Sequence, residues 1–118
     1  MNNKGSILIV DDNMTLVTTI TMILKRRGFQ VESTYNGQDA ISMIRKQPFS
    51  MILMDLKMPG MNGVEALKEI RAIRPDARVI IMTAYEMKDL LAEVEDMGVV
   101  SVLHKPFNMM QVLQIIDE

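Results

Sequence analysis

Apolar positions along the chain fall into two alternating textures. Short runs rich in Ile, Val and Leu occupy residues 7–10, 30–34, 51–54, 78–82 and 99–103, a length and composition that predict buried strands. Between them lie stretches in which apolar residues recur at helical spacing. Leu16, Ile20, Ile23 and Leu24 share one face, and Gly28 follows the cations Lys25, Arg26 and Arg27 as a stop signal. Ala40, Ile41 and Ile44 mark a second helix, halted before Pro48. Val64, Leu67 and Ile70 mark a third, for which Asn62 and Glu65 are spaced as a capping box. Met87, Leu90, Leu91, Val94 and Met97 form a fourth stripe ended by Gly98, and Met109, Val112, Leu113 and Ile116 a fifth. A βα unit repeated five times predicts an α/β fold, a doubly wound parallel sheet reached by right-handed crossovers and covered on both faces.

Composition narrows the picture. At 118 residues the chain is one domain, and no apolar run approaches the roughly 20 residues that span a bilayer. The absence of Cys excludes disulfides and thiolate metal sites, and with no apolar segment behind "MNNKGS" to serve as a secretory signal, a cytoplasmic setting is the default expectation. A net charge of -2 argues against a general nucleic-acid surface, which needs clustered Lys and Arg.

In open parallel sheets the chemistry lies beyond the carboxyl ends of the strands. That rim collects Asp11 and Asp12 after the first strand, Asp55 after the third, Thr83 closing the fourth and Lys105 past the fifth. Each has an ordinary reading by itself. Asp12 and Asn13 suit a helix cap, Asp55 before Pro59 and Gly60 suits a turn, Thr83 suits a strand filler, and Lys105 suits a solvated lysine. The lone His104 reads as a surface histidine, and the 13 Met residues as core and surface filler. Convergence on one rim is what the ordinary readings leave unexplained. Three carboxylates need a counter-ion, and hard oxygen donors suit Mg²⁺ or Mn²⁺. Such an ion is a common partner of phosphoryl groups, for which Thr83 and Lys105 supply a hydrogen bond and a positive charge, and Asp55 a nucleophile.

The segments "ILIVDDN", "MILMDLKMPGMNG", "VIIMTAYE" and "VLHKPF", in this order and spacing, resemble the receiver domain of two-component response regulators over nearly the whole chain. The resemblance implies a flavodoxin-like (βα)5 fold with strand order 2-1-3-4-5. It implies that Asp55 accepts a phosphoryl group from a phosphohistidine, that Asp12 binds the metal directly and Asp11 largely through water, and that the backbone carbonyl of Lys57 is a further ligand. Thr83 matches the switch hydroxyl, Lys105 the ammonium that holds the phosphoryl group, Ala84 a small residue at the mouth of the site, and Lys105-Pro106 a cis bond. Within the family, "RVIIMTAYE" and Lys57 look most like stand-alone phosphorelay intermediates and the receivers of NtrC-type activators.

The sequence departs from the family at Val102, where an aromatic linked to the switch often stands, so the readout is expected to run through Thr83 and the backbone of residues 84–88. Lys57 and Tyr85 flank the line along which water would attack an acyl phosphate, and a long phosphorylated lifetime is expected. The resemblance implies a sensor histidine kinase or histidine phosphotransfer protein as partner, docking near the first helix, and output through the fourth helix, fifth strand and fifth helix. The chain is expected to be a receiver over residues 1–118 with no output domain of its own, either stand-alone or part of a longer regulator, and a monomer or a phosphorylation-dependent dimer. It is expected not to act as an enzyme beyond its own phosphorylation and dephosphorylation, nor to touch nucleic acid or membrane. Two other readings are a degenerate receiver that binds without phosphate, and a haloacid-dehalogenase-type phosphatase with its nucleophile on the first strand.

Overall fold

The computed structural model describes residues 5–84 and 88–117. Five strands, β1 (Ser6–Val10), β2 (Gln30–Thr34), β3 (Met51–Asp55), β4 (Val79–Thr83) and β5 (Ser101–His104), alternate with α1 (Met14–Arg26), α2 (Gly37–Lys46), α3 (Gly63–Ile73), α4 (Lys88–Glu95) and α5 (Met109–Asp117). The strands pair in parallel in the order β2-β1-β3-β4-β5, the doubly wound arrangement that the apolar pattern predicts. β3 and β4 are buried at every residue, as a sheet covered on both faces requires, whereas β2 at one edge alternates exposed and half-buried positions before a buried Thr34. Leu8, Val10, Ile52, Met54, Val79 and Ile81 face α2, α3 and α4. Ile7, Ile9, Met51, Leu53, Ile80 and Met82 face α1 and α5. Period-two alternation thus splits one sheet into two cores.

Helix starts follow the sequence signals. Asn13 and Asn36 each cap a helix by accepting a backbone N–H through the side chain, and Asn62 with Glu65 forms the full capping box. Gly28 and Gly98, with φ of 97° and 72°, turn the chain after α1 and α4. Asn13, and not Asp12, is the cap of α1, which releases the acid for other work. Val17 joins Ile20 and Leu24 in the buried stripe of α1. Met87 lies outside the described residues, and Val94 alone is fully buried in α4.

Strand ends differ from the sequence reading by one or two residues, and two of the differences bear on the site and its supports. Asp55 is the last residue of β3, aligned with Met82 of β4, and does not lie beyond the strand. β5 starts at Ser101 and not at Val99, because Arg71 of α3 holds the turn before it. Its Nε donates to the Met97 carbonyl at 3.2 Å and Nη2 to the Gly98 carbonyl at 2.9 Å, while Nη1 donates to the carbonyls of Pro75 and Ala77. One guanidinium, with its fixed fork of donors, joins the turns that lead into β4 and β5. Arg71→Ala is expected to destabilise the protein by about 2 kcal/mol, since hydrogen bonds from a charged donor are lost and carbonyls go unpaired. Urea unfolding checks this, and a change in midpoint within error would show that the turns hold without the clamp.

Candidate functional site at the carboxyl ends of the strands

β1, β3, β4 and β5 deliver their last side chains to one rim. Asp11, directly after β1, is fully buried. Its backbone N–H donates to the Thr34 carbonyl, one Oδ1 accepts the Asn13 N–H at 2.9 Å, and Oδ2 accepts from Lys105 Nζ at 2.7 Å. Lys105 arrives from past β5, anchored by its own N–H on the Thr83 carbonyl at 2.7 Å and followed by a cis bond to Pro106. Its ammonium also reaches Asp55 Oδ2 at 3.2 Å, while the Lys57 N–H donates to Asp55 Oδ1 at 3.3 Å. Asp55 is 6% exposed and Asp12 is open to solvent. A cleft of about 470 Å³ opens over this cluster, lined by Asp12, Asp55, Lys57, Met58, Pro59, Ala84 and Lys105.

The structure therefore brings together most of the residues singled out in the sequence. Asp11, Asp12 and Asp55 each offer an oxygen within 4.8 Å of the others, a grouping that could hold a metal ion. Hard oxygen donors of this kind fit Mg²⁺ or Mn²⁺. The Thr83 hydroxyl is fully buried and donates to the Ala84 carbonyl at 3.1 Å. Val102 is half-buried, pairs in register with Ile81 and packs on the core beneath α4. His104 is exposed at the end of β5. Tyr85 lies outside the described residues. Met58 and Pro59, part of the cleft wall, were not singled out as site residues, and their signal is their position three and four residues past Asp55.

Electrostatics follow from this crowding. Burial and then the charge of Asp11 push the Asp55 carboxyl above the ordinary carboxylate value, more than Lys105 and the Lys57 N–H pull it down. Burial opposes the charge on Lys105, but the hydrogen bond to Asp11 and the charges of Asp55 and Asp11 outweigh it and raise the ammonium above its ordinary value. At neutral pH the Asp55 charge is unfavourable and the Lys105 charge favourable, yet both raised values make stability fall as pH rises. A folded protein that holds the Asp55 proton more tightly than the unfolded chain loses stability as pH rises from the ordinary carboxylate range through the raised value. The stabilisation from Lys105 is fully present below the ordinary lysine value and is lost as pH rises through the higher folded one. Asp55→Asn is expected to stabilise the metal-free protein at neutral pH by about 1 kcal/mol, the scale of relieving one unfavourable charge. The variant should also lose the Asp55 part of the pH slope; thermal unfolding across pH tests both, and a less stable variant at neutral pH would contradict the argument.

The chain and its fold have counterparts among known proteins. The response regulator receiver domain family matches residues 7–117. Sporulation initiation phosphotransferase F of Bacillus subtilis is 37% identical over 108 residues, covering 92% of this chain and 86% of that protein. Transcriptional regulatory protein ZraR of Salmonella typhimurium is 33% identical over 108 residues, and there the chain spans only 24% of the relative's length. Among solved structures, a CheY-like receiver domain protein from Methanospirillum hungatei superposes with a TM-score of 0.90 at 28% identity, covering 95% of this chain and 90% of that one. A receiver domain protein from Clostridium thermocellum gives 0.89 at 25% identity, with 96% and 91% covered. Fold, strand order and sequence agree, and the chain belongs to the response regulator receiver domain family.

Proposed function

We propose that this receiver takes a phosphoryl group from a phosphohistidine onto Asp55. The observation that carries the reading is the Asp55 carboxylate facing an open cleft with the Lys105 ammonium 3.2 Å from one of its oxygens. Asp55 attacks phosphorus, an O–P bond forms, the N–P bond to imidazole breaks, and an acyl phosphate results. Asp12, Asp55 and the Lys57 carbonyl would hold Mg²⁺ or Mn²⁺, with Asp11 acting through water. The ion, when bound, neutralises charge on the phosphoryl oxygens. Lys105 takes one of those oxygens, exchanging part of its contact with Asp55 for the new anion. Rotation of the Thr83 hydroxyl away from the Ala84 carbonyl supplies another hydrogen bond. Ala84, with no side chain beyond Cβ, leaves the mouth open. Asp11 is a poor nucleophile by comparison, because it is fully buried and both its oxygens accept hydrogen bonds, which argues against the dehalogenase-type phosphatase.

The phosphodonor is a sensor histidine kinase or a histidine phosphotransfer protein, and output runs through α4, β5 and α5 to a partner or to a covalently attached domain. Likeness to a protein named as a phosphotransferase supports onward transfer, and likeness to part of ZraR supports a place in a longer regulator. With Val102 in place of an aromatic, the readout is assigned to Thr83 and to the segment 84–88, of which residues 85–87 lie outside the described residues. Among the described residues no helix is long and apolar enough to cross a membrane.

Intact-mass analysis after acetyl phosphate and Mg²⁺ is expected to show one added phosphoryl group on the wild type and none on Asp55→Asn. No addition to the wild type would identify a degenerate receiver. Lys57→Asn, alone or with Tyr85→Ala, is expected to speed loss of the phosphoryl group by opening the line to water, and an unchanged decay rate would remove Lys57 from that role.

A further inference from the structure

The loop 56–62, which carries Lys57 and the cleft wall at Met58 and Pro59, folds back on the start of α3. The Gly63 N–H donates to the Leu56 carbonyl at 2.8 Å, closing the loop on itself. At Gly63 there is no room for any side chain. A Cβ built there would stand 2.7 Å from Leu56 Cα, 2.9 Å from the Asp55 carbonyl oxygen and 2.9 Å from Leu56 Cδ2. Two of these three are backbone atoms, which cannot swing aside. Conformation does not require glycine at this position, since the positive φ values among the described glycines fall at Gly5, Gly28, Gly60 and Gly98. As the first residue of α3, Gly63 also occupies a place where a residue with a side chain would favour the helix. Contact therefore requires the glycine, and the atoms contacted belong to Asp55 and Leu56, the two residues directly before Lys57.

The opposite side of the loop offers a contrast. Gly37, the first residue of α2, faces Met61, and a Cβ there would meet the Sδ, Cβ and Cγ of that side chain at 3.2 to 3.3 Å. A flexible thioether chain can give by that amount. Gly60, within the loop, has φ of 80° and nothing within 4 Å of a built Cβ. Three glycines around one loop thus serve different ends, and only Gly63 is pressed against the backbone of the site.

We infer that Gly63 is a positioning residue for the Asp55 site: by admitting the Leu56 backbone against the start of α3, it sets where the Lys57 N–H and carbonyl stand relative to the Asp55 carboxylate. The inference rests on the functional reading above for its consequence in phosphoryl transfer, while its geometric part stands on the Lys57 N–H alone. A side chain at 63 forces the loop outward, stretches the Lys57 to Asp55 hydrogen bond, and displaces the carbonyl assigned to the metal.

Three readouts on Gly63→Ala and Gly37→Ala test it. Amide exchange by NMR is expected to show the Lys57 N–H of Gly63→Ala exchanging about tenfold faster than wild type, while β1 and β4 amides keep their protection. Mg²⁺ titration is expected to show affinity about tenfold weaker, the scale seen when a residue supporting metal ligands is lost. Phosphorylation by acetyl phosphate should slow in step, and Gly37→Ala should stay within about twofold of wild type in all three. Unchanged Lys57 exchange in Gly63→Ala, or equal effects at both glycines, overturns the inference. A wild type that binds neither Mg²⁺ nor phosphoryl overturns the functional reading instead, and Lys57 exchange then decides the inference alone. If Gly63→Ala does not fold, Leu56→Ala with Gly63→Ala removes the Leu56 Cδ2 contact and leaves the backbone contacts, and the same readouts apply. Failure of both to fold also overturns it, because the strain would then lie in the core and not in the loop.

Discussion

Everything at the carboxyl rim depends on one ammonium set between two buried carboxylates. Asp11 and Asp55 come from neighbouring strands of a parallel sheet, and packing them at that rim without a cation would place like charges in a poorly solvated corner. Lys105 lies 94 residues from one and 50 from the other. It reaches both because β5 is the far neighbour of β4 and because its own N–H is held by Thr83. Pairing with good geometry is the condition under which buried charges are tolerated. The pairing leaves Asp12 exposed beside the cleft, within reach of the same cluster of carboxylate oxygens.

The rim is polar for a reason that precedes any chemistry. Each parallel strand ends where a crossover turns into a helix, and the first turn of that helix has N–H groups to satisfy. Asn13, Asn36 and Asn62 do so after β1, β2 and β3. Capping side chains and helix N-termini therefore already surround Asp11, Asp12 and Asp55, and the field there favours negative charge. The opposite rim is organised by different means, with the Arg71 and Arg74 guanidiniums bonded to carbonyls at the ends of helices and in turns. Anion-seeking groups gather at one end of the sheet and carbonyl-seeking groups at the other.

Much of this was legible in the amino-acid sequence. Alternating textures gave the order of all ten elements, and the rule that chemistry follows strand ends picked out Asp11, Asp12, Asp55, Thr83 and Lys105 before any coordinates. What escaped was set by contacts between distant segments. The start of β5 depends on Arg71 reaching the Met97 and Gly98 carbonyls across 26 and 27 residues, and no local pattern announces that. Division of labour between Asp12 and Asn13 was likewise open, because both cap helices well and only the fold shows that Asn13 is the cap. Gly63 is not singled out by the sequence at all, since its crowding comes from a loop folding back on itself and leaves no trace in periodicity.

The two edges of the sheet carry a last consequence. β2 exposes Gln30 and Glu32, and β5 is only four residues long and ends at the exposed His104. A second copy laid along β2 would bring Glu32 carboxylates toward one another, and a copy along β5 would gain few main-chain bonds. Short or charged edges of this kind are how sheet proteins avoid growing into fibres. The two edges therefore offer a second copy little on which to extend the sheet.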